Sequence, residues 1–188
     1  MIPSLEAIKA IHRNRQESVV VATMTSRREW DAISENRSLD FPMSGAMGKA
    51  SSFAFGLALA QPSRKVIVID GDGSLLTNLG SLVTIAGKQP QNFYHFVMED
   101  GGYGATGGEP IPGAGRLSFV GMAKAAGYAA AYEFDNLEEF VTDIEGILQE
   151  PGPVFICLKV RRGEIPPSEP RSVQQAIKEL MALFAGSS

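Results

Sequence analysis

The chain has one cysteine, and that scarcity excludes several chemistries at once. A single thiol cannot form a disulfide within the chain, build a cysteine-ligated metal centre or hold an iron–sulfur cluster. Cys157 lies inside the apolar run VFICLKV and reads as a small buried hydrophobe, so a reducing, cytoplasmic setting is expected. Positive charge is sparse too: 17 Lys and Arg against 21 Asp and Glu leave a net charge of −4. With no basic run and no interleaving of basic and aromatic residues, a nucleic-acid partner is not expected. No apolar run reaches the ~18 residues of a membrane span, and the opening MIPSLEAIKAIHRNR lacks the apolar centre of a signal peptide, so no membrane association is expected either. Internal repeats and low-complexity stretches are absent as well. The two histidines and the one tryptophan offer little chemistry. His12 falls on the polar face of a helical pattern, and His95 sits between Tyr94 and Phe96 in a strand pattern, where packing or a hydrogen bond satisfies it. Trp30 reads as a core anchor or a subunit contact.

What the chain does have is 44% hydrophobic residues spread over 188 positions, enough for one good core and one domain. Helical and strand patterns alternate, which predicts an α/β fold. Helices are expected at 5–15, 28–34, 48–61, 75–87, 118–126, 137–149 and 172–184. Strands are expected at 18–24, 66–69, 94–98, 129–134 and 154–160. A loop dense in Gly and Pro fills 104–117, and a Pro-rich connector fills 162–170. A core over 1–165 is expected to be followed by the end of the connector and a terminal helix over 166–188.

The most informative stretch is 66–104, VIVIDGDGSLLTNLGSLVTIAGKQPQNFYHFVMEDGGYG. Two apolar runs each deliver an acidic residue into a glycine-rich turn, Asp72 and, 28 positions later, Asp100. That spacing fits one right-handed βαβ crossover, which opens both strand ends on the same edge of a parallel sheet. Two carboxylates at such an edge suit a hard divalent cation, which Mg²⁺ typically shares between carboxylates and the phosphates of a ligand. Gly71, Gly73 and Ser74 let a backbone approach a diphosphate, with the free N–H groups of the next helix behind it. The plainer alternative is a glycine-rich turn with an N-capping Asp.

This pair of motifs resembles the signature of the thiamine diphosphate (ThDP) enzymes, GDG followed at a crossover's distance by Asn-Asn or a close variant. The resemblance implies that Asp72, Asp100 and the carbonyl of Gly102 hold the Mg²⁺ that bridges the cofactor diphosphate. The chain departs from the pattern in having Glu99-Asp100 where Asn-Asn is usual, which adds a negative charge. Tyr103, Gly104 and Thr106 follow in the same segment and are implied as cofactor contacts. A second match, FPMSGAMGKASSFAFGLALA at 41–60, is similar to the family segment that meets the other end of the cofactor. By resemblance, the Gly45 backbone meets the aminopyrimidine, Ala46 borders it, and Met47 is the apolar wedge that bends the cofactor. The implied fold is a doubly wound, mostly parallel sheet with helices on both faces, covering about 1–165.

In most of that family a Glu from a separate pyrimidine-binding domain activates the cofactor, and this chain has the length of one domain. Glu99 and Glu109 flank the expected site without matching that Glu's motif. The resemblance therefore implies a pyrimidine-binding α subunit and a hetero-oligomer with the active site between chains. Apolar surface is then expected around 43–47 and 103–111. The run as a whole looks most like the sulfopyruvate and phosphonopyruvate decarboxylases, so a small 2-oxoacid substrate with an anionic tail is implied. Arg27 and Arg28 are candidates for the tail by position, and Thr106 and Gly107 for polar contacts. An acetolactate-synthase-like or acyl-CoA lyase carboligase, or a non-catalytic ThDP-binding module, remains open. A 2-oxoacid:ferredoxin oxidoreductase subunit is disfavoured by the single Cys, and a Rossmann nucleotide binder by the missing G-x-G-x-x-G spacing.

Overall fold

The central strands are short, unbroken apolar runs, the pattern of a parallel sheet buried on both faces. Residues 19–23, VVVAT, and 66–69, VIVI, are buried throughout. The computed structural model describes residues 1–169 and 171–185; Pro170 of the expected connector and residues 186–188 of the expected terminal segment lie outside the described residues. In chain order the elements are β1 (Ile2–Pro3), α1 (Ser4–Asn14), β2 (Val19–Thr23), α2 (Met24–Asp31), β3 (Asp40–Met43), α3 (Ala50–Ala60), β4 (Val66–Gly71), α4 (Asp72–Leu76) and α5 (Gly80–Ala86). They continue with β5 (Phe93–Glu99), β6 (Gly102–Tyr103), β7 (Glu109–Pro110), α6 (Phe119–Ala126), β8 (Ala130–Phe134), α7 (Leu137–Ile147), β9 (Val154–Arg161) and α8 (Val173–Ala185).

The main sheet runs β3-β2-β4-β5-β9-β8, with β1 pairing β9 beyond β8 at Val160 and Arg161, and all its pairings are parallel. Because side chains alternate across a strand, each strand feeds two cores. Val19, Val21, Val66, Val68, Phe93, Val97 and Phe155 pack under α3, α5, α6 and α8. On the other face Val20, Ile67, Ile69, Tyr94, Phe96 and Ile156 pack under α1, α2 and α7, with Trp30 fully buried among them. This is the expected doubly wound α/β architecture. The order of strands reverses between β2 and β4, and in such sheets ligands bind at the carboxyl edge beside that point. Asn136 caps α7 by accepting from the N–H groups of Glu138 and Glu139, and Ser118 caps α6 by accepting from Gly121.

Several boundaries differ from expectation, each for a local reason. The helix expected over 75–87 is two helices, because the Thr77 hydroxyl donates to the Ser74 carbonyl at 2.7 Å and the Asn78 side chain turns away to bond Gly48 and Ser52. The helix expected at 28–34 starts at Met24, directly on the end of β2. Strands β1 and β3 are edge strands of two and four residues, too short to show a period. The loop expected over 104–117 holds β7, which pairs antiparallel with β6. No described helix is long and apolar enough to cross a membrane.

Cys157 is fully buried on β9, and its thiol donates to Glu99 Oε2 at 3.1 Å. Burial first, and then the bond to Glu99, pushes the thiol well above the usual thiol range. Iodoacetamide is therefore expected to leave the folded chain unlabelled at neutral pH and to label it stoichiometrically in denaturant. Labelling at equal rates in both conditions would contradict this placement.

Candidate functional site

Strands β4 and β5 lie side by side with Gly71 opposite Met98, so the turns that follow them emerge together at the carboxyl edge. Asp72 Oδ1 accepts from the Gly73 N–H at 2.7 Å, and its Oδ2 accepts from the Gly101 N–H at 2.7 Å. The second bond ties the two turns together. Asp100 Oδ1 accepts from the Gly102 N–H at 3.1 Å. The convergence expected from the 28-residue spacing is thus present. Asp72 is 2% exposed. Burial pushes its carboxyl up to about 6, against the opposing N–H bonds from Gly101 and Gly73, and the nearby Asp100 charge raises it further.

The glycines of these turns are fixed by their neighbours. A Cβ on Gly73 would lie 2.6 Å from the Tyr103 ring, whereas one on Gly71 would meet nothing within 4 Å. The upstream loop is fastened to the same turn: the Gly48 N–H donates to Ser74 Oγ at 2.9 Å, and Asn78 Nδ2 donates to the Gly48 carbonyl at 2.8 Å. Those two bonds bring Met47 against the turn after β4.

One cleft at this edge is lined by Met47, by residues 71–74, and by Asp100, Gly102, Tyr103 and Gly104. A second cleft collects Gly45, Met43 and Ser44 with Arg27 and Arg28. Met24 and Thr25, at the start of α2, line both. Ala46 lines neither cleft; it is half-buried, its carbonyl accepting from the Lys49 N–H. Thr106 and Gly107 line neither cleft: both are exposed, and the Thr106 hydroxyl donates to the Tyr103 carbonyl at 3.3 Å. The apolar surface expected around 43–47 and 103–111 is largely tucked in. Met43 and Met47 are half-buried, Tyr103 covers Gly73, and Ile111 is buried, while the exposed large apolar side chains include Leu59, Val83 and Met181.

Four residues of the first cleft, Met24, Thr25, Ser26 and Arg162, are not among the sequence candidates. Thr25 and Ser26 fall between the expected strand 18–24 and the expected helix 28–34, but α2 begins at Met24 and brings its first N–H groups to the cleft. Ser26 is 1% exposed and its hydroxyl has no partner among the described residues. Met24 itself carries a φ of +54°, a strained value for a residue with a side chain, found here where the chain turns into the cleft. The fourth is Arg162, just past β9. Its Nε donates to Asp100 Oδ2 at 2.6 Å and its Nη1 donates to Glu29 Oε2 at 2.6 Å. Strand order carries the signal for Arg162, since β9 neighbours β5 and the two strands end on one edge. His95, in contrast, is a core residue, fully buried with Nδ1 3.2 Å from the Tyr128 hydroxyl.

Residues 19–158 match the family described as thiamine pyrophosphate enzyme, C-terminal TPP binding domain. The chain is 35% identical to a phosphonopyruvate decarboxylase of Streptomyces hygroscopicus over 86% of its own length and 41% of that protein's, so it spans about two fifths of that relative. It is also 35% identical to the sulfopyruvate decarboxylase subunit beta of Methanocaldococcus jannaschii, covering 78% of this chain and 77% of that one. Among solved structures, a thiamin diphosphate-dependent enzyme of Mycobacterium smegmatis superposes with a TM-score of 0.71 at 20% identity, over 87% of this chain and 32% of the other, a likeness of fold. The stitched acidic turns, the doubly wound sheet and the match along most of the sequence agree, and the chain belongs to the thiamine pyrophosphate enzymes as a TPP-binding domain related to the sulfopyruvate decarboxylase beta subunits.

Proposed function

We propose that this chain is the ThDP- and Mg²⁺-holding subunit of a decarboxylase for small 2-oxoacids with a sulfonate- or phosphonate-like tail, its active site completed by a separate pyrimidine-binding α subunit. The observation that carries the reading is the edge where Asp72 binds the Gly101 N–H across from Asp100. The donor set fits the metal: two carboxylates and the Gly102 carbonyl are hard oxygen ligands, and burial first, then the neighbouring Asp100 charge, disfavours the bare Asp72 carboxylate. The surroundings fit a diphosphate. Gly71 leaves open space, the Ser26 hydroxyl lacks a partner among the described residues, and α2 begins at the cleft with its free N–H groups. When bound, ThDP supplies an electron sink for the bond that breaks as CO₂ leaves.

In this reading Asp72, Asp100 and the Gly102 carbonyl hold the metal. Ser74 and the start of α2 face the diphosphate, and Met47 supports the bent cofactor from its apolar side. Arg28 meets the substrate tail: it is exposed in the second cleft and forms no ion pair among the described residues, whereas Arg27 pairs with Asp31 at 3.5 Å. Among the described residues no glutamate lines either cleft, and Glu109 is exposed outside both. That supports an activating carboxylate contributed by another chain. A carboligase or a non-catalytic module would share the first cleft and make no use of a cationic second one.

The test is CO₂ release from sulfopyruvate, phosphonopyruvate and pyruvate, measured for the chain with and without a candidate α subunit. Turnover is expected only in the mixture and only with an anionic tail. Arg28→Ala should then raise KM roughly tenfold, about 1.4 kcal/mol of tail binding, with ThDP affinity unchanged. Turnover by the highly purified chain alone would overturn the split site, and an unchanged KM would remove Arg28 from it.

A further inference from the structure

We infer that Arg162 is the fixed counter-charge that lets Asp100 stand beside a metal and a diphosphate, a positioning role that rests on the function proposed above. Asp100 occupies a position where the resemblance implies a neutral amide, so the site carries one more negative charge than the pattern requires. The structure sets a positive charge directly against it. Arg162 Nε donates to Asp100 Oδ2 at 2.6 Å in a side chain that is 21% exposed and lines the first cleft. A charge-assisted bond this short in a half-buried setting couples the two groups tightly, although the same guanidinium also serves Glu29. Asp100 Oδ1 is left with the Gly102 N–H and a further lone pair for a cation.

The guanidinium is itself held. Its Nη1 donates to Glu29, which is 1% exposed and whose other oxygen accepts from the Ser4 hydroxyl on α1. A buried carboxylate bonded on both oxygens has little freedom, so Arg162 is oriented from behind by Glu29 as it grips Asp100 in front. A guanidinium has five N–H donors, and two are used in these bonds. A neutral amide at 100 needs no such partner. An aspartate there needs one, because its bare charge repels the diphosphate that the metal has to hold.

The experiment is a double-mutant cycle read as ThDP affinity by calorimetry in saturating Mg²⁺, with inorganic pyrophosphate as a second probe. Arg162→Met is expected to weaken ThDP at least tenfold, with Asp100→Asn as the second single variant of the cycle. Combining the two should bring affinity back to within about threefold of the parent. Where Arg162→Met fails to fold for want of a partner to Glu29, the same comparison in the Glu29→Gln background decides. Parental affinity in Arg162→Met, or a double variant as weak as Arg162→Met alone, would overturn the inference and leave the proposed function standing. A parent chain that binds no ThDP in saturating Mg²⁺ would overturn both.

Discussion

Asp72→Ala is expected to abolish Mg²⁺-dependent ThDP binding, raising Kd at least 100-fold, about 2.7 kcal/mol, while leaving a folded protein. Two losses combine in that figure. The metal loses a carboxylate ligand, and the N–H groups of Gly73 and Gly101 lose the oxygens that hold the two turns together. Each unpaired N–H costs about 1–3 kcal/mol where water cannot reach it. Against that, removing a buried carboxylate whose proton affinity is already raised relieves its desolvation, so the net change in stability is small. Asp72→Asn separates the two losses, since it keeps one accepting oxygen for the backbone and gives up the charge. It should bind the metal weakly while melting close to the parent. Calorimetry in excess Mg²⁺ and again in EDTA checks both variants, and equal affinity of Asp72→Ala and the parent would remove this edge from consideration as the cofactor site.

Asp72 and Asp100 were legible in the sequence because their convergence depends on one βαβ crossover, whose length and handedness follow from local pattern. The buried strands were legible for a similar reason, each being an apolar run bounded by turn residues. Arg162 was not, for a physical reason. It lies 62 residues beyond its partner Asp100, and only the pairing of β5 with β9 brings the two together. Thr25 and Ser26 were hidden by a helix boundary. The polar run TSRRE shows no apolar period, so α2 was expected four residues later, and the contribution of its first turn to the cleft was lost with it. Thr106 and Gly107 stay outside the two clefts. Their place in a glycine-rich loop after the site suggested contact, but β6 and β7 pair there and leave both residues exposed.

Gly48→Ala is expected to damage the fold and the site together, whereas Gly71→Ala should damage the site alone. At Gly48 the backbone has a φ of +74°, where a side chain is strained, and an added Cβ would lie 2.2 Å from Thr77 Oγ1 and 3.2 Å from the Ser74 carbonyl. Thr77 cannot simply rotate away, because its hydroxyl is bonded to that same carbonyl at 2.7 Å. The loop must shift instead, and with it go the bonds from the Gly48 N–H to Ser74 and from Asn78 to the Gly48 carbonyl. A cost of roughly 2–4 kcal/mol follows from the strain and the overpacking. For a chain of this size that corresponds to a fall in Tm of roughly 5–15 °C. Gly71 has φ −109° and ψ 155°, which any residue adopts, and its Cβ would enter open space. Alanine there should leave Tm within about 2 °C of the parent, since surface substitutions away from special geometry stay near ±0.5 kcal/mol. Its methyl would occupy the space through which a diphosphate approaches the turn, so ThDP should bind at least tenfold more weakly, about 1.4 kcal/mol. Paired melting and calorimetry on the two variants decide the matter: a Gly71→Ala chain that binds like the parent would mean that the diphosphate does not approach there.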